Sequence, residues 1–251
     1  MENAYKTCLE AVKARDPQGL ARLIADGADV DKQENSGLSA LGEAALLGEV
    51  ECLDLLLAAG CNVDGCDGGC KSEMNYTAAM RAAFKGSEAC LQRLIDCGCD
   101  VNKKCMAGKT AIMCAASGGH EGCVGILLEA GAHLDARDGH WWTPLIFAAE
   151  AGREGCVAYL IKAGADMDAC GANGATAAMC AAFCGHEKCL AALIEAGCDI
   201  QAKSSMGSDA YKLASDQGNK GCMVMLLAES ERRALLACVE DGKAKGMSVR
   251  V

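Results

Sequence analysis

Nineteen cysteines and four histidines are the residues of this 251-residue chain best equipped for chemistry. Thiolates bind zinc or exchange disulfides, and imidazoles bind metal or move protons. Spacing decides whether they can. Cys52, Cys90, Cys123, Cys156, Cys189 and Cys222 follow one another at 38, 33, 33, 33 and 33 residues, so they occupy one position of a recurring unit. Packed helices lie ~8–10 Å apart, whereas a disulfide needs Cα atoms within roughly 7 Å. The six are therefore expected to be reduced, buried, small hydrophobes. Gly19 takes the place in the first unit. Outside this column stand Cys66 with Cys70, Cys97 with Cys99 and Cys105, and Cys180 with Cys184. None has the paired Cys-x-x-Cys spacing of a zinc site, so neither metal nor cofactor is expected. Cys66 and Cys70, in a stretch longer than its counterparts, leave a redox or zinc sensor as an alternative reading.

Other motifs carry less. Gly108-Lys109-Thr110 ends like a phosphate-binding loop, but Lys103 stands where that loop needs glycine. His120 and His186 occupy one turn of two different units and are expected to hydrogen-bond between units. His133 and His140 have no acid or nucleophile at a recognisable spacing. Asn75-Tyr76-Thr77 has the glycosylation pattern, and no secretory signal accompanies it. No enzymatic activity is expected. A net charge of −10 argues against nucleic acid, which is held mainly by Lys and Arg clusters, and favours basic or apolar partners. Lys103-Lys104 reads as a solvated loop face. No apolar run reaches the ~18 residues of a membrane span, and a cytoplasmic location is expected.

What positions these residues is a repeat of 33. Gly27-Ala28-Asp29, Gly60-Cys61-Asn62, Gly98-Cys99-Asp100, Gly131-Ala132-His133, Gly164-Ala165-Asp166 and Gly197-Cys198-Asp199 keep the register of the cysteines, as do Ser39, Thr77, Thr110, Thr143, Thr176 and Asp209. Within one unit Thr110 suits a helix start and Gly118-Gly119 its end. Cys123, Ile126, Leu127 and Ala130 then fall at i, i+3, i+4 and i+7, the apolar face of a second helix that Gly131 stops. The polar, Gly-containing remainder reads as a projecting finger. Stacked units of this kind bury their apolar faces against each other.

Thr143-Pro144-Leu145, the double Ala after each opening, Gly119-His120 and Gly185-His186, and the Leu-Leu-x-x-Gly-Ala close resemble the ankyrin repeat, from about Ala4 to Ser230. The resemblance implies an all-α solenoid of about seven helix-turn-helix units with projecting fingers. Departures are visible too. Met80, Met113, Met179, Ile146 and Gly42 replace the family's opening histidine, which removes a polar tie to the finger. Residues 1–230 are expected to form the array, with an N-terminal cap repeat over 1–38 and a five-residue finger insertion near 65–74 that protrudes and can be deleted at Gly65 to Gly69. A separate capping helix is expected over 231–241 and a flexible tail over 242–251.

The family's use of fingertips and inner helices implies a protein-binding scaffold or adaptor, monomeric and without catalysis. A regulatory or targeting segment of a larger signalling protein is the alternative. Mapping that surface selects Tyr76, Phe84, Lys109, His140, Trp141, Trp142, Glu150 and Phe183 as partner-binding residues, over units three to six. Trp142 is expected to be an exposed anchor whose loss folding hardly notices. Trp141 stands where other units have Gly37, Asn75, Gly108, Gly174 and Gly207, so its finger is expected to bend differently, with Gly139 taking the turn.

Overall fold

A computed structural model describes residues 5–34, 37–67 and 75–244, with the side chains of 239–244 left aside. Seven units each supply two antiparallel helices. They are α1 (Cys8–Lys13) with α2 (Pro17–Ala25), α3 (Ala40–Leu47) with α4 (Val50–Ala58), α5 (Ala78–Lys85) with α6 (Glu88–Asp96), and α7 (Ala111–Gly118) with α8 (Glu121–Glu129). Then come α9 (Pro144–Glu150) with α10 (Glu154–Lys162), α11 (Ala177–Cys184) with α12 (Glu187–Glu195), and α13 (Ala210–Gln217) with α14 (Lys220–Ala244). Local chemistry sets the first-helix boundaries. The side chains of Ser39, Thr77, Thr143, Thr176 and Asp209 accept the N–H three residues on, at Gly42, Met80, Ile146, Met179 and Lys212. Left-handed Gly48, Gly86, Gly119, Gly185 and Gly218 end α3, α5, α7, α11 and α13.

Helices this short are marginal in water and depend on packing. Paired alanines allow the first helices to approach closely: Ala44 and Ala45, Ala82 and Ala83, Ala115 and Ala116, Ala148 and Ala149, and Ala181 and Ala182 are fully buried. First helices pack on one another more closely than second helices do, which curves the array with the first helices inside. The cysteine column lies in the layer between them. Cys52, Cys90, Cys123, Cys156, Cys189 and Cys222 are free thiols at 0–1% exposure. In unit one a Cβ on Gly19 would stand 2.7 Å from the Tyr5 ring, so the aromatic fills the place of the thiol.

Side chains knit each unit to the one before. His120 Nε2 donates to the Phe84 carbonyl and His186 Nε2 to that of Glu150, both at 2.9 Å, as their shared turn predicts. Arg153 Nε to Ser117 O (3.0 Å) and Asn219 Nδ2 to Phe183 O (2.7 Å) make the same bond with different chemistry. Many acids are also spent on this stitching. Asp31, Asp64, Asp135 and Asp168 accept backbone N–H groups of Asn62, Asp100, Asp166 and Asp199 in the following unit.

The fingers are tied to each other as well. Gly139 N donates to Ala107 O, Ala172 N to His140 O and Ser205 N to Asn173 O, each at 2.9 Å. At the opening-histidine positions Met80, Met113, Ile146 and Met179 are buried at 0–1%, so apolar packing stands in place of a polar side chain.

Two expectations are corrected. The segment from Gly65 to Gly69 cannot be deleted freely, because Asp67 is 2% exposed, accepts the Ser39 N–H at 2.8 Å and pairs with Arg81 at 2.5 Å. Cys66–Asp67 and Tyr76–Thr77, β1 and β2, pair antiparallel, so Asp67 holds an ordinary finger position. Its carboxylate fills the space a Gly42 side chain would need, which accounts for that glycine. The inserted residues and Cys70 lie outside the described residues. At the other end no separate helix begins at 231. Without glycine after Leu227, α14 runs unbroken to Ala244, so it crosses the boundaries expected at 230 and 242. Glu229 reinforces that run by binding Arg232 and Arg233, both at 2.6 Å.

Candidate functional site

On the inner side, the finger residue before each capping Thr and the last one or two residues of the first helices, such as Phe84, Glu150 and Phe183, form rows along the array. Three cavities open among them. The first, of about 460 Å³, is bounded by Lys109, Asp138, His140, Trp142, Phe147, Glu150, Ala172 and Asn173. Here Trp142 and Phe147 meet with ring centroids 5.3 Å apart at 58°, and Lys109 Nζ stands 4.6 Å over the Phe147 ring. Asp138 shapes the wall, since its Oδ1 accepts the N–H groups of His140 and Trp142 at 2.9 and 2.8 Å. The second cavity, about 330 Å³, lies between Leu46, Tyr76, Met80, Arg81, Phe84 and Cys114. The third, about 280 Å³, joins Trp142 and Glu150 to Met179, Cys180, Phe183 and Leu213.

The sequence-selected residues therefore divide. Lys109, His140, Trp142 and Glu150 converge on the first cavity, Tyr76 and Phe84 on the second, and Phe183 on the third. Phe84 and Phe183 occupy equivalent positions near the ends of α5 and α11 and remain 56% and 45% exposed. Trp142 is not a free anchor. It is half-buried against the core and Phe147, so its removal costs packing. Tyr76 is half-buried too, and burial pushes its hydroxyl pKa up to about 12. Phe147 was missed by sequence reasoning because it lies inside a helix; it is 6% exposed, yet it floors the first cavity.

Trp141 corrects the expectation for its finger. Gly139 does not take the turn: Trp141 itself adopts φ 66°, close to Gly108 at 78° and Gly174 at 72°. Its N–H donates to Asp138 O at 3.1 Å, as Gly108 N does to Cys105 O and Gly174 N to Gly171 O. The finger bends like its neighbours, and the Trp bears the strain. Its ring is 57% exposed, with the Arg137 guanidinium 5.3 Å from the centroid.

The buried thiols on this face are poorly disposed to react. Burial pushes Cys114 and Cys180 up to about 12, which keeps them protonated at neutral pH. Among the described residues no group of three or more His, Cys, Asp or Glu is arranged to hold a metal ion. Nor is any helix long and apolar enough to cross a membrane.

A family model for ankyrin repeats in three copies matches residues 9–105 and 79–170, and one for a single ankyrin repeat matches 173–205. Among solved structures 559 chains match, so the likeness identifies an architecture shared by many proteins. One is the crystal structure of the human ASB11 ankyrin repeat domain, similar at TM-score 0.76 and 27% identity over 90% of this chain and 98% of that chain. A search of curated proteins found no match.

Proposed function

We propose that this chain, which belongs to the ankyrin repeat family, binds a protein partner across the inner face of units three to six and performs no chemistry of its own. Ankyrin repeats are in general protein–protein interaction modules. The observation that carries the reading is the pair Phe84 and Phe183. Each is a large aromatic left about half exposed beside an open cavity, in equivalent places three units apart. Aromatics in such settings supply wide contact area at small entropic cost and dominate binding energy. Between them Lys109 and Glu150 have no ion-pair partner among the described residues, which leaves them to orient a ligand.

The test is affinity capture from the source cell followed by mass spectrometry, comparing the parent with a Phe84→Ala/Phe183→Ala double variant. Losing ~2 kcal/mol at an anchor weakens capture about 30-fold, while melting stays near the parent. Equal capture by both proteins would remove this face from consideration.

A further inference from the structure

The charge of this protein is not spread evenly. It totals −10 overall, yet the four fingers at 103–109, 137–142, 170–175 and 203–208 hold Lys103, Lys104, Lys109, Arg137 and Lys203 against one acid, Asp138. Asp138 is 8% exposed and committed to backbone N–H groups, so it cannot answer those cations. Elsewhere the chain matches many of its cations with carboxylates, as in Lys13–Glu34, Arg15–Glu49, Arg93–Asp54 and Lys188–Glu154. Among the described residues none of the five finger cations forms an ion pair. Lys104 instead reaches along the edge to the Arg137 carbonyl at 2.9 Å, and Arg137 lies over Trp141.

The same fingers expose large apolar side chains. Met106 is 73% exposed, Trp141 57% and Met206 90%. Met106 and Trp141 stand on adjacent fingers joined by the Gly139–Ala107 bond and Met206 on the finger two units further on, so exposed apolar side chains accompany the cations along one edge. Trp141 in addition keeps a left-handed backbone that glycine would hold without strain, and strain of that kind gathers at functional positions.

We propose that the fingertip edge of units four to seven receives an acidic stretch of a protein partner, its carboxylates meeting Lys104, Arg137 and Lys203 and its apolar side chains resting on Met106, Trp141 and Met206. This rests on the protein-binding reading above and extends it from the inner helices to the fingers. Three unit steps of ~8–10 Å are spanned by about eight or nine extended residues at ~3.3 Å each. A short acidic segment suits this edge better than a nucleic acid. A long polyanion would face the overall charge of −10, whereas a short segment resting on the basic edge meets little of it.

The test pans a phage-displayed library of random 12-residue peptides on the full chain, then measures enriched peptides by fluorescence anisotropy. Enriched sequences should carry net negative charge with at least one large apolar residue, and should bind more weakly as salt rises. A Lys104→Glu/Arg137→Glu/Lys203→Glu variant should bind them about tenfold more weakly, with unchanged circular dichroism. If that variant fails to fold, the corresponding Gln variant provides the comparison, with a smaller loss expected. Enrichment of neutral or basic peptides overturns the acidic partner, and so does equal binding by the charge variants or tighter binding of the oligonucleotide dT20. Neutral or basic peptides that Phe84→Ala/Phe183→Ala releases leave the inner-face reading standing. Peptides that neither set of substitutions affects remove both readings.

Discussion

Trp141 stands where the preceding unit has Gly108, and the two residues make the same turn. Each donates its N–H three residues back, Trp141 to Asp138 O at 3.1 Å and Gly108 to Cys105 O at 2.8 Å. Their φ angles differ by 12°, from 66° and 78°. The equivalence is one-sided, since a Cβ on Gly108 would lie 2.6 Å from the Gly139 nitrogen of the next finger. Trp141→Gly should therefore stabilise the fold by about 1 kcal/mol by relieving the strained backbone, whereas Gly108→Ala should destabilise it. Chemical denaturation of both variants checks this. A Trp141→Gly variant less stable than its parent would show that the indole stabilises the finger more than its backbone strains it.

Asp67 and Arg81 form a buried pair, and removing one partner strands the other. Asp67→Ala should cost roughly 3 kcal/mol, and Gly42→Ala should also destabilise because its methyl group would enter the space of the Asp67 carboxylate. In the Asp67→Ala background the Gly42→Ala penalty should largely vanish. A double-mutant cycle measured by urea unfolding reads the coupling.

Glu229 is held at a pKa of about 2 by hydrogen bonds from Arg232 and Arg233. A carboxyl whose pKa is depressed by folding contributes stability that is full above its unfolded value, near 4.3, and is lost as pH falls through the folded one. Glu229→Gln should thus melt below the parent at pH 7, and the gap should close between about pH 4.5 and pH 2. A gap independent of pH would assign the effect to shape and not to charge.

The cysteine column makes the opposite prediction at the alkaline end. Burial raises Cys52, Cys90 and Cys156 to about 11 and Cys123 to about 12. Thiols whose pKa is raised by folding contribute stability that is complete below the unfolded value, near 9, and is lost as pH climbs through the folded values. Melting temperature should fall from about pH 9 upward. At pH 8, exposed Cys97, Cys170 and Cys238 should react with a thiol reagent well before the column does. Simultaneous labelling of all thiols in the native protein would contradict the buried column.

Much of the architecture was legible because it repeats. A capping hydroxyl or carboxylate, a double Ala, a helix-ending Gly and a buried Cys recur at 33 through most units, so the middle units corroborate one another. What escaped were positions where unlike residues converge on one role. Arg153 and Asn219 make the bond that His120 and His186 make, and no residue-type column connects them. Trp141 adopts a glycine's backbone because the Asp138 bonds and the neighbouring fingers over-determine the turn, a tertiary effect beyond local propensity. Spacing alone cannot say on which side of Asp67 the five extra residues fall, and only the pairing of Cys66–Asp67 with Tyr76–Thr77 assigns Asp67 to the regular finger. At the C-terminal end Glu229-Ser230 replaces the Gly-Ala close, so the repeat pattern stops there although the helix does not. Glycine is the stop signal, and its absence lets α14 continue. Of the site, the exposed aromatics on the first helices were legible, and the buried floor supplied by Phe147 was not.

The stitching of each first helix by the following unit has a temporal side. The carbonyls of Phe84, Ser117, Glu150 and Phe183 are bound by side chains 36 residues further along. A ribosome delivers the chain from its N-terminus, so each of these residues emerges well before the group that clamps its backbone. The frame of the inner face is thus finished one unit behind synthesis, and Phe183 is secured only when Asn219 arrives. A nascent chain halted before residue 219 would carry the aromatic in full and hold it in a looser frame, so the proposed contact at Phe183 would be secured only once the seventh unit has emerged.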